Sequence, residues 1–360
     1  MPALTADSGS VKRSFRLEAF GAPLVAASEE LPVPTGRGVL LRTLVCGVCH
    51  SDLHIADGHF DLGNGNRIDL TRSVALPRIL GHEIVGEVVA LGPAAEGVAL
   101  GDRRVVFPWI GCGTCGDCRA GREHLCGAPR ALGVNCDGGY ADHVLVDDPR
   151  YLFDFAPLTD GQACTLACSG LTAFSALRKA VPFPAGAQAL VIGAGGVGLS
   201  AVRMAHALLG TAPIVADPDR TKWALAMEAG AAATIDPREP GIARELVKGT
   251  GGGVAAAFDF VGSGDSFAFG FSALAKGGRM VVVGLMGGAT QFSPALLPMK
   301  SATICGSYVG SLTEMAELMQ LARSGVLPAL PVTARRLDEV NDALDDLRAA
   351  RIHGRVVVTP

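Results

Sequence analysis

Residues 189–210 read Ala-Leu-Val-Ile-Gly193-Ala-Gly195-Gly196-Val197-Gly198-Leu-Ser-Ala-Val-Arg-Met-Ala-His-Ala-Leu-Leu-Gly210. An apolar run of strand length enters a glycine cluster and leaves as a helical pattern stopped by glycine. GxGxxG alone is weak evidence in a chain with 47 glycines, so the context has to decide. Here the context fits a dinucleotide-binding turn. Gly193 permits the tight turn, Gly195 lets a pyrophosphate approach the backbone, and Gly198 lets helix and strand pack closely. Gly196 and Val197 open the helix, whose free N–H groups and dipole favour the phosphates. Asp217 follows Gly198 by 19 positions, at the end of the next apolar run. Its carboxylate is expected to accept both adenosine-ribose hydroxyls and to repel a 2′-phosphate, which favours NAD over NADP. Arg220 nearby argues the other way, and a capping role for Asp217 is the structural alternative.

Working outward, apolar runs alternate with helical patterns at 189–192, 213–217, 232–236, 254–261, 279–284 and 303–309. Six such runs predict a doubly wound parallel sheet, a Rossmann domain over 161–309. Residues 1–160 read instead as a β-rich unit, with strands at 38–45, 84–91, 103–107 and 140–146 separated by frequent turn residues. The tail, 310–360, carries helices at 312–323 and 337–351 and a strand at 355–358. That last strand is expected to return to the first domain.

Composition excludes several classes. Apolar residues make up 49% and charged residues 18% of the 360, which rules out disorder and supplies a large core. A formal net charge of −4 gives no basic field for nucleic acid or anionic membrane. The uncharged runs 180–202 and 280–299 are long enough to span a bilayer but are broken by prolines and glycines. The first fifteen residues lack the apolar core of a signal peptide. A soluble, cytoplasmic protein is expected.

Cys112-x2-Cys115-x2-Cys118-x7-Cys126 places four thiols within fifteen residues. In a reducing compartment this favours a metal over disulfides. Four thiolates close a tetrahedral zinc and leave no place for a substrate, so the site would be structural. An iron–sulfur cluster also takes four cysteines, but the Cys-Pro ending of ferredoxin runs is absent.

A second set of ligand types lies in Cys49-His50-Ser51-Asp52-Leu53-His54 and Gly81-His82-Glu83. Each alone is unconvincing, because a buried Cys or His is more often a core residue. However, Gly81-His82-Glu83-x2-Gly86-x5-Gly92-x2-Ala95 resembles the signature of the zinc-containing alcohol dehydrogenases of the medium-chain superfamily. The order of the Cys-His-Ser-Asp run, the four-cysteine lobe and the glycine turn is similar too, from about Leu17 to Val358.

The resemblance implies a GroES-like catalytic domain beside the Rossmann domain, NAD as cofactor and two zinc ions per chain. It implies a catalytic zinc on Cys49, His82 and Cys168, with Cys164 as a rival to Cys168 and Cys46 matching no ligand position. Asp52 would orient His82, and Glu83 would approach the metal. Ser51 would take the alcohol proton and pass it through the ribose to His54. His50 and Arg355 match phosphate contacts, Lys222 an adenosine-ribose contact, and Thr172 a residue near the nicotinamide. The expected reaction moves a hydride between a primary or secondary alcohol and its aldehyde or ketone. A polyol or hydroxyacyl-thioester dehydrogenase is the alternative within the superfamily, and a nucleotide-sensing zinc protein the alternative outside it. The segment 60–76 is longer and more polar than the family pattern and is expected to edge the substrate pocket, with His59, Phe60 and Trp109 as lining candidates. The spacing from Cys126 to Cys168 resembles compact members that are homotetramers, with a dimer as the alternative.

Overall fold

The structure is a computed structural model describing residues 11–360, so most of the amino-terminal stretch read for a signal sequence lies outside the described residues. One sheet is six-stranded and entirely parallel. Its order is Ala233–Ile235, Ile214–Ala216, Ala189–Ile192, Val254–Asp259, Leu274–Val282 and Thr303–Gly306. In sequence numbering this is 3-2-1-4-5-6, the doubly wound order with its switch point beside the first strand. The strand before the glycine turn, Ala189–Ile192, is fully buried, because helices cover both faces.

The other half is built on a mixed sheet. Its central strand, Val39–Gly47, pairs antiparallel with Glu83–Leu91, His143–Val146 and the final strand Arg355–Thr359. Val332–Arg336 runs parallel to that final strand at the sheet's edge. The tail therefore closes onto the chain's first half and delivers Arg355 beside Glu83. The 337–351 helix is shorter than its sequence pattern, Val340–Arg348 preceded by one 3₁₀ turn. The strand expected at 140–146 begins only at His143; Tyr140 lies in the turn before it.

Two hairpins escape the sequence pattern. Val11–Leu17 with Val25–Glu30 is polar because its buried Lys12 pairs with Glu29 at 2.9 Å. His59–Gly63 with Asn66–Asp69 is closed by Asn64 and Gly65, both at positive φ, a two-residue turn that matches strand twist. Its tip packs backbone to backbone on the cofactor half. A Cβ on Gly63 would lie 2.4 Å from the carbonyl carbon of Gly288, and one on Gly287 2.3 Å from the Asp61 oxygen. The polar segment after Phe60 thus bridges the two sheets. Among the described residues no helix is long and apolar enough to cross a membrane.

Candidate active site and metal centres

Three donors converge where the strands Val39–Gly47 and Glu83–Leu91 meet the Ser169–Arg178 helix. Cys49 precedes the His50–Asp57 helix, His82 precedes Glu83–Leu91, and Cys168 precedes Ser169–Arg178. All three are buried, and one donor atom from each lies within 4.8 Å of the others. The Cys49 and Cys168 sulfurs are 3.9 Å apart. Ligands at ~2.3 Å from a tetrahedral zinc stand about 3.8 Å apart, so the spacing fits. His82 Nε2 is buried without a hydrogen-bond partner. A buried polar atom left unpaired is costly, and a metal would satisfy it. The hydrogen bond with Cys168 and the nearby His82 imidazole hold the Cys49 thiol well below its ordinary pKa, against the opposing effect of burial. Cys46 and Cys164 are outside this cluster, their thiols directed at the carbonyls of Gly47 and Gly161.

Asp52 organises the cluster from behind. Oδ1 accepts from His82 Nδ1 at 3.1 Å and from the Gly81 N–H at 3.2 Å. Oδ2 accepts from the Cys49 N–H at 3.0 Å and the Tyr140 hydroxyl at 2.8 Å. A carboxylate behind the imidazole fixes the tautomer that leaves Nε2 free for a metal. Tyr140 is a residue the sequence reading missed. Its only trace is Gly81, where a Cβ would lie 2.6 Å from the tyrosine ring at a φ of +87°.

Glu83 forms a buried ion pair with Arg355 and accepts the Ser169 N–H at 3.1 Å. Burial pushes its carboxyl up to about 7, although the Arg355 guanidinium pulls it down. Gly47 must lack a side chain here, since a Cβ would lie 2.1 Å from Glu83 Oε2. Arg355 also borders the glycine turn: a Cβ on Gly196 would lie 2.5 Å from its Nη1. Its guanidinium therefore spans the metal cluster and the nucleotide loop.

The glycine turn has the expected geometry. Gly193 has φ +93°, and a Cβ on Gly198 would fall 1.8 Å from the Gly193 oxygen. Beside Gly195 there is open space, where a side chain would otherwise fill the cradle. Asp217 is buried, with Oδ2 accepting the Ala194 N–H at 2.7 Å and Oδ1 the Asp219 N–H at 2.8 Å. It staples the glycine turn to the second strand, and each oxygen keeps a lone pair for a ligand. Lys222 ends a short 3₁₀ turn with Nζ 3.6 Å from Asp219. Burial lowers the His50 pKa, and the charges of Arg355 and Lys222 lower it further, so cations gather around this end of the cleft. Thr172 is buried one turn after Cys168.

Ser51 and His54 share the helix that starts after Cys49. His54 lies 4.9 Å from the Phe60 ring, and His59 is tied by Nδ1 to the Asp57 carbonyl at 3.0 Å. Trp109 is buried 5.3 Å from the His82 ring, anchored by its Nε1 donating to the Ala167 carbonyl at 3.1 Å, and the Tyr308 ring lies 6.3 Å from its own. It both fills the core and walls the cluster.

The four-cysteine lobe is a second metal-ready centre. The sulfur pairs Cys112–Cys118 and Cys115–Cys126 stand 3.9 and 3.8 Å apart. Backbone N–H groups of Cys112, Cys115, Cys118 and Ala128 point at the sulfurs of Cys126, Cys112, Cys115 and Cys126. Such donors favour thiolates over thiols. Bonds from Thr114, hydroxyl first, draw the Cys112 thiol down to about 5. Replacing Cys115 by Ser removes one of four donors that tie the loop together. We expect that variant to lose one zinc per chain and to unfold at lower urea concentration, because the binding free energy of a structural metal is folding free energy. Unchanged metal content by elemental analysis would contradict this.

This geometry defines a two-domain α/β fold, one sheet Rossmann-like, with a four-thiol donor cluster and a second cluster of two thiols and an imidazole. Residues 36–156 match the alcohol dehydrogenase GroES-like domain, and residues 196–324 match the zinc-binding dehydrogenase domain. The chain is 36% identical to an NAD-dependent alcohol dehydrogenase of Sulfurisphaera tokodaii, over 97% of its own length and 100% of the relative's. It is 31% identical to an alcohol dehydrogenase of Geobacillus stearothermophilus, over 95% and 98%. The crystal structure of the alcohol dehydrogenase from Aeropyrum pernix superposes with a TM-score of 0.86 at 31% identity, covering 97% of this chain and 100% of that one. The chain belongs to the zinc-binding alcohol dehydrogenase family. It is an oxidoreductase.

Proposed function

We propose that the chain is a zinc- and NAD-dependent alcohol dehydrogenase whose chemistry is carried by the Cys49–His82–Cys168 cluster. The supporting observation is a three-donor, buried cluster with an orphaned imidazole nitrogen, separated by Arg355 from a glycine turn. Zinc on the cluster supplies Lewis acidity toward an alcohol oxygen, and NAD on the glycine turn supplies the hydride acceptor. Asp52 keeps His82 in the ligating tautomer. Arg355 and the Ser169 N–H fix the Glu83 carboxylate beside the donors. Gly193–Gly198 cradle the pyrophosphate, with His50, Lys222 and Arg355 lending positive charge, while Thr172 borders the nicotinamide and Asp217 receives the ribose diol. Ser51 takes the alcohol proton, and His54 passes it to solvent. The exposed edge strand Thr303–Gly306, flanked by exposed Met299 and Leu296, supports a homo-oligomer in which two such edges pair.

Absorbance at 340 nm on mixing the protein with NAD and a panel of primary and secondary alcohols tests the reading. NAD should exceed NADP in kcat/KM by more than about tenfold, or ~1.4 kcal/mol. No reduction of NAD by any alcohol, with both zincs present, would remove it.

The proton path predicts a pH dependence. Burial, followed by the charge of His50, lowers the His54 pKa from 6.5. The neutral imidazole is the base, so a lowered pKa keeps it competent to lower pH and puts the acid limb of oxidation below 6.5. His54→Gln should erase that limb, slow oxidation, and respond to added small amine bases. Ser51→Ala should cost more, because its hydroxyl is the group in direct contact with the alcohol, whereas buffer can stand in for an outer imidazole. An unchanged pH–rate profile in His54→Gln, without amine rescue, would mean that protons leave by another route.

A further inference from the structure

The adenosine end of the cleft holds more charge than a diol-binding carboxylate needs. Arg238 Nη2 donates to the carbonyl of Pro218 at 2.8 Å, which puts a guanidinium against the residue after Asp217. Arg220 lies over the Trp223 ring at 5.1 Å, and Trp223 Nε1 donates to the Asp217 carbonyl at 2.9 Å. An arginine near the end of the second strand is what accommodates the 2′-phosphate of NADP. Two arginines stand there in a chain whose glycine turn is followed by an NAD-type aspartate. Neither arginine is free. Arg220 Nη2 is 2.7 Å from Glu239 Oε1. Arg238 is forked onto Asp236, Nε to Oδ1 at 3.0 Å and Nη2 to Oδ2 at 2.9 Å.

We propose that Glu239 and Asp236 are cofactor-specificity residues that mask Arg220 and Arg238, so that the site refuses a 2′-phosphate while carrying the groups to bind one. The inference rests on the dinucleotide reading above. Asp236 is itself buried and holds Arg238 at two points, so that mask is the harder one to remove. Glu239 is a single contact between two exposed side chains, and its mask can be removed without disturbing the core. An unmasked Arg220 would offer its N–H fork to a phosphate, the geometry in which guanidinium pairs best. Asp217 remains the first barrier, and the masks add a second. A Rossmann domain with a serine or glycine at position 217 but Glu239 intact would on this account still discriminate against NADP.

The test uses the full chain and isothermal titration with adenosine 2′,5′-bisphosphate and 5′-AMP, together with kcat/KM for both cofactors. Glu239→Gln should bind the bisphosphate about fivefold more tightly, the upper end of what an exposed ion pair is worth. Binding of 5′-AMP should stay the same, and NADP turnover should rise in proportion. Adding Arg220→Ala to that variant should cancel the gain. If 5′-AMP binds but the bisphosphate gains nothing, or if the gain survives loss of Arg220, the masking is wrong and the dinucleotide reading stands. If the unaltered protein binds neither 5′-AMP nor NADH, the dinucleotide reading falls, and the masking falls with it.

Discussion

Cys49→Ser abolishes alcohol oxidation, with kcat/KM lower by about a thousandfold or more, while the chain stays folded and still binds NADH. Losing a Lewis-acid centre removes several kcal/mol of transition-state stabilisation, and each ~1.4 kcal/mol is tenfold in rate. The substitution should be structurally mild. Cys49 is buried, and serine is slightly smaller. The contact that holds this turn together runs from the Cys49 backbone N–H to Asp52, which the substitution leaves intact. What disappears is a thiolate 3.9 Å from the Cys168 sulfur, and a serine hydroxyl neither ionises near neutrality nor reaches as far. Elemental analysis should find one zinc per chain, retained by the four-cysteine lobe, and NADH fluorescence titration should be close to that of the unaltered protein. Cys46→Ser is the control, because the Cys46 thiol lies outside the cluster and faces the Gly47 carbonyl. If Cys46→Ser were inactive and Cys49→Ser active, the donor set would have to be redrawn.

The parts of this molecule that were legible in sequence are those where the backbone itself imposes a residue. The glycine turn could be read because a side chain at Gly198 collides with the Gly193 carbonyl, so the chemistry leaves one choice. The parallel strands could be read because burial on both faces makes them continuously apolar, as in Ala189–Ile192. The Val11–Glu30 hairpin and the Val332–Arg336 strand could not. Val25–Glu30 and Val332–Arg336 are edge strands, and they and Val11–Leu17 carry polar or charged side chains alternating outward, a pattern shared with loops. Within the site, spacing alone could not separate Cys49 from Cys46 or Cys168 from Cys164; the resemblance made those choices. Side-chain partners were the least accessible. Tyr140 reaches Asp52 across 88 positions, and Arg355 reaches Glu83 across 272. Nothing local to either residue carries that information, because sheet pairing between Val39–Gly47 and the final strand brings Arg355 there. The expectation for Arg355 named only a phosphate, whereas the structure gives it a buried carboxylate as well.

That shared position makes Arg355→Met the most disruptive single change expected outside the metal centres. Glu83 is fully buried and the Arg355 side chain nearly so, 0% and 7% exposed. Removing one member of a buried ion pair leaves the other uncompensated, which costs up to about 3–5 kcal/mol. The cost falls as pH falls, because Glu83, already raised to about 7 beside Arg355, then takes up a proton. Methionine fills most of the arginine stem, so the loss would come from charge more than from a cavity. After the substitution Glu83 keeps only the Ser169 N–H among its present partners. The companion variant decides between this account and simple loss of packing. If the cost is an orphaned carboxylate, Glu83→Gln combined with Arg355→Met should recover a large part of the lost stability, because a neutral amide tolerates burial better than an unpaired charge. If packing is what was lost, the double variant should be no more stable than the single one. Urea unfolding of the four members of the cycle measures this directly. The same guanidinium borders Gly196, so Arg355→Met should also raise the KM for NADH, and the double variant should not restore it, since no positive charge returns to the glycine turn. Stability that recovers while cofactor affinity does not would separate the two duties of one side chain: pairing with Glu83 beside the metal donors, and facing the phosphates.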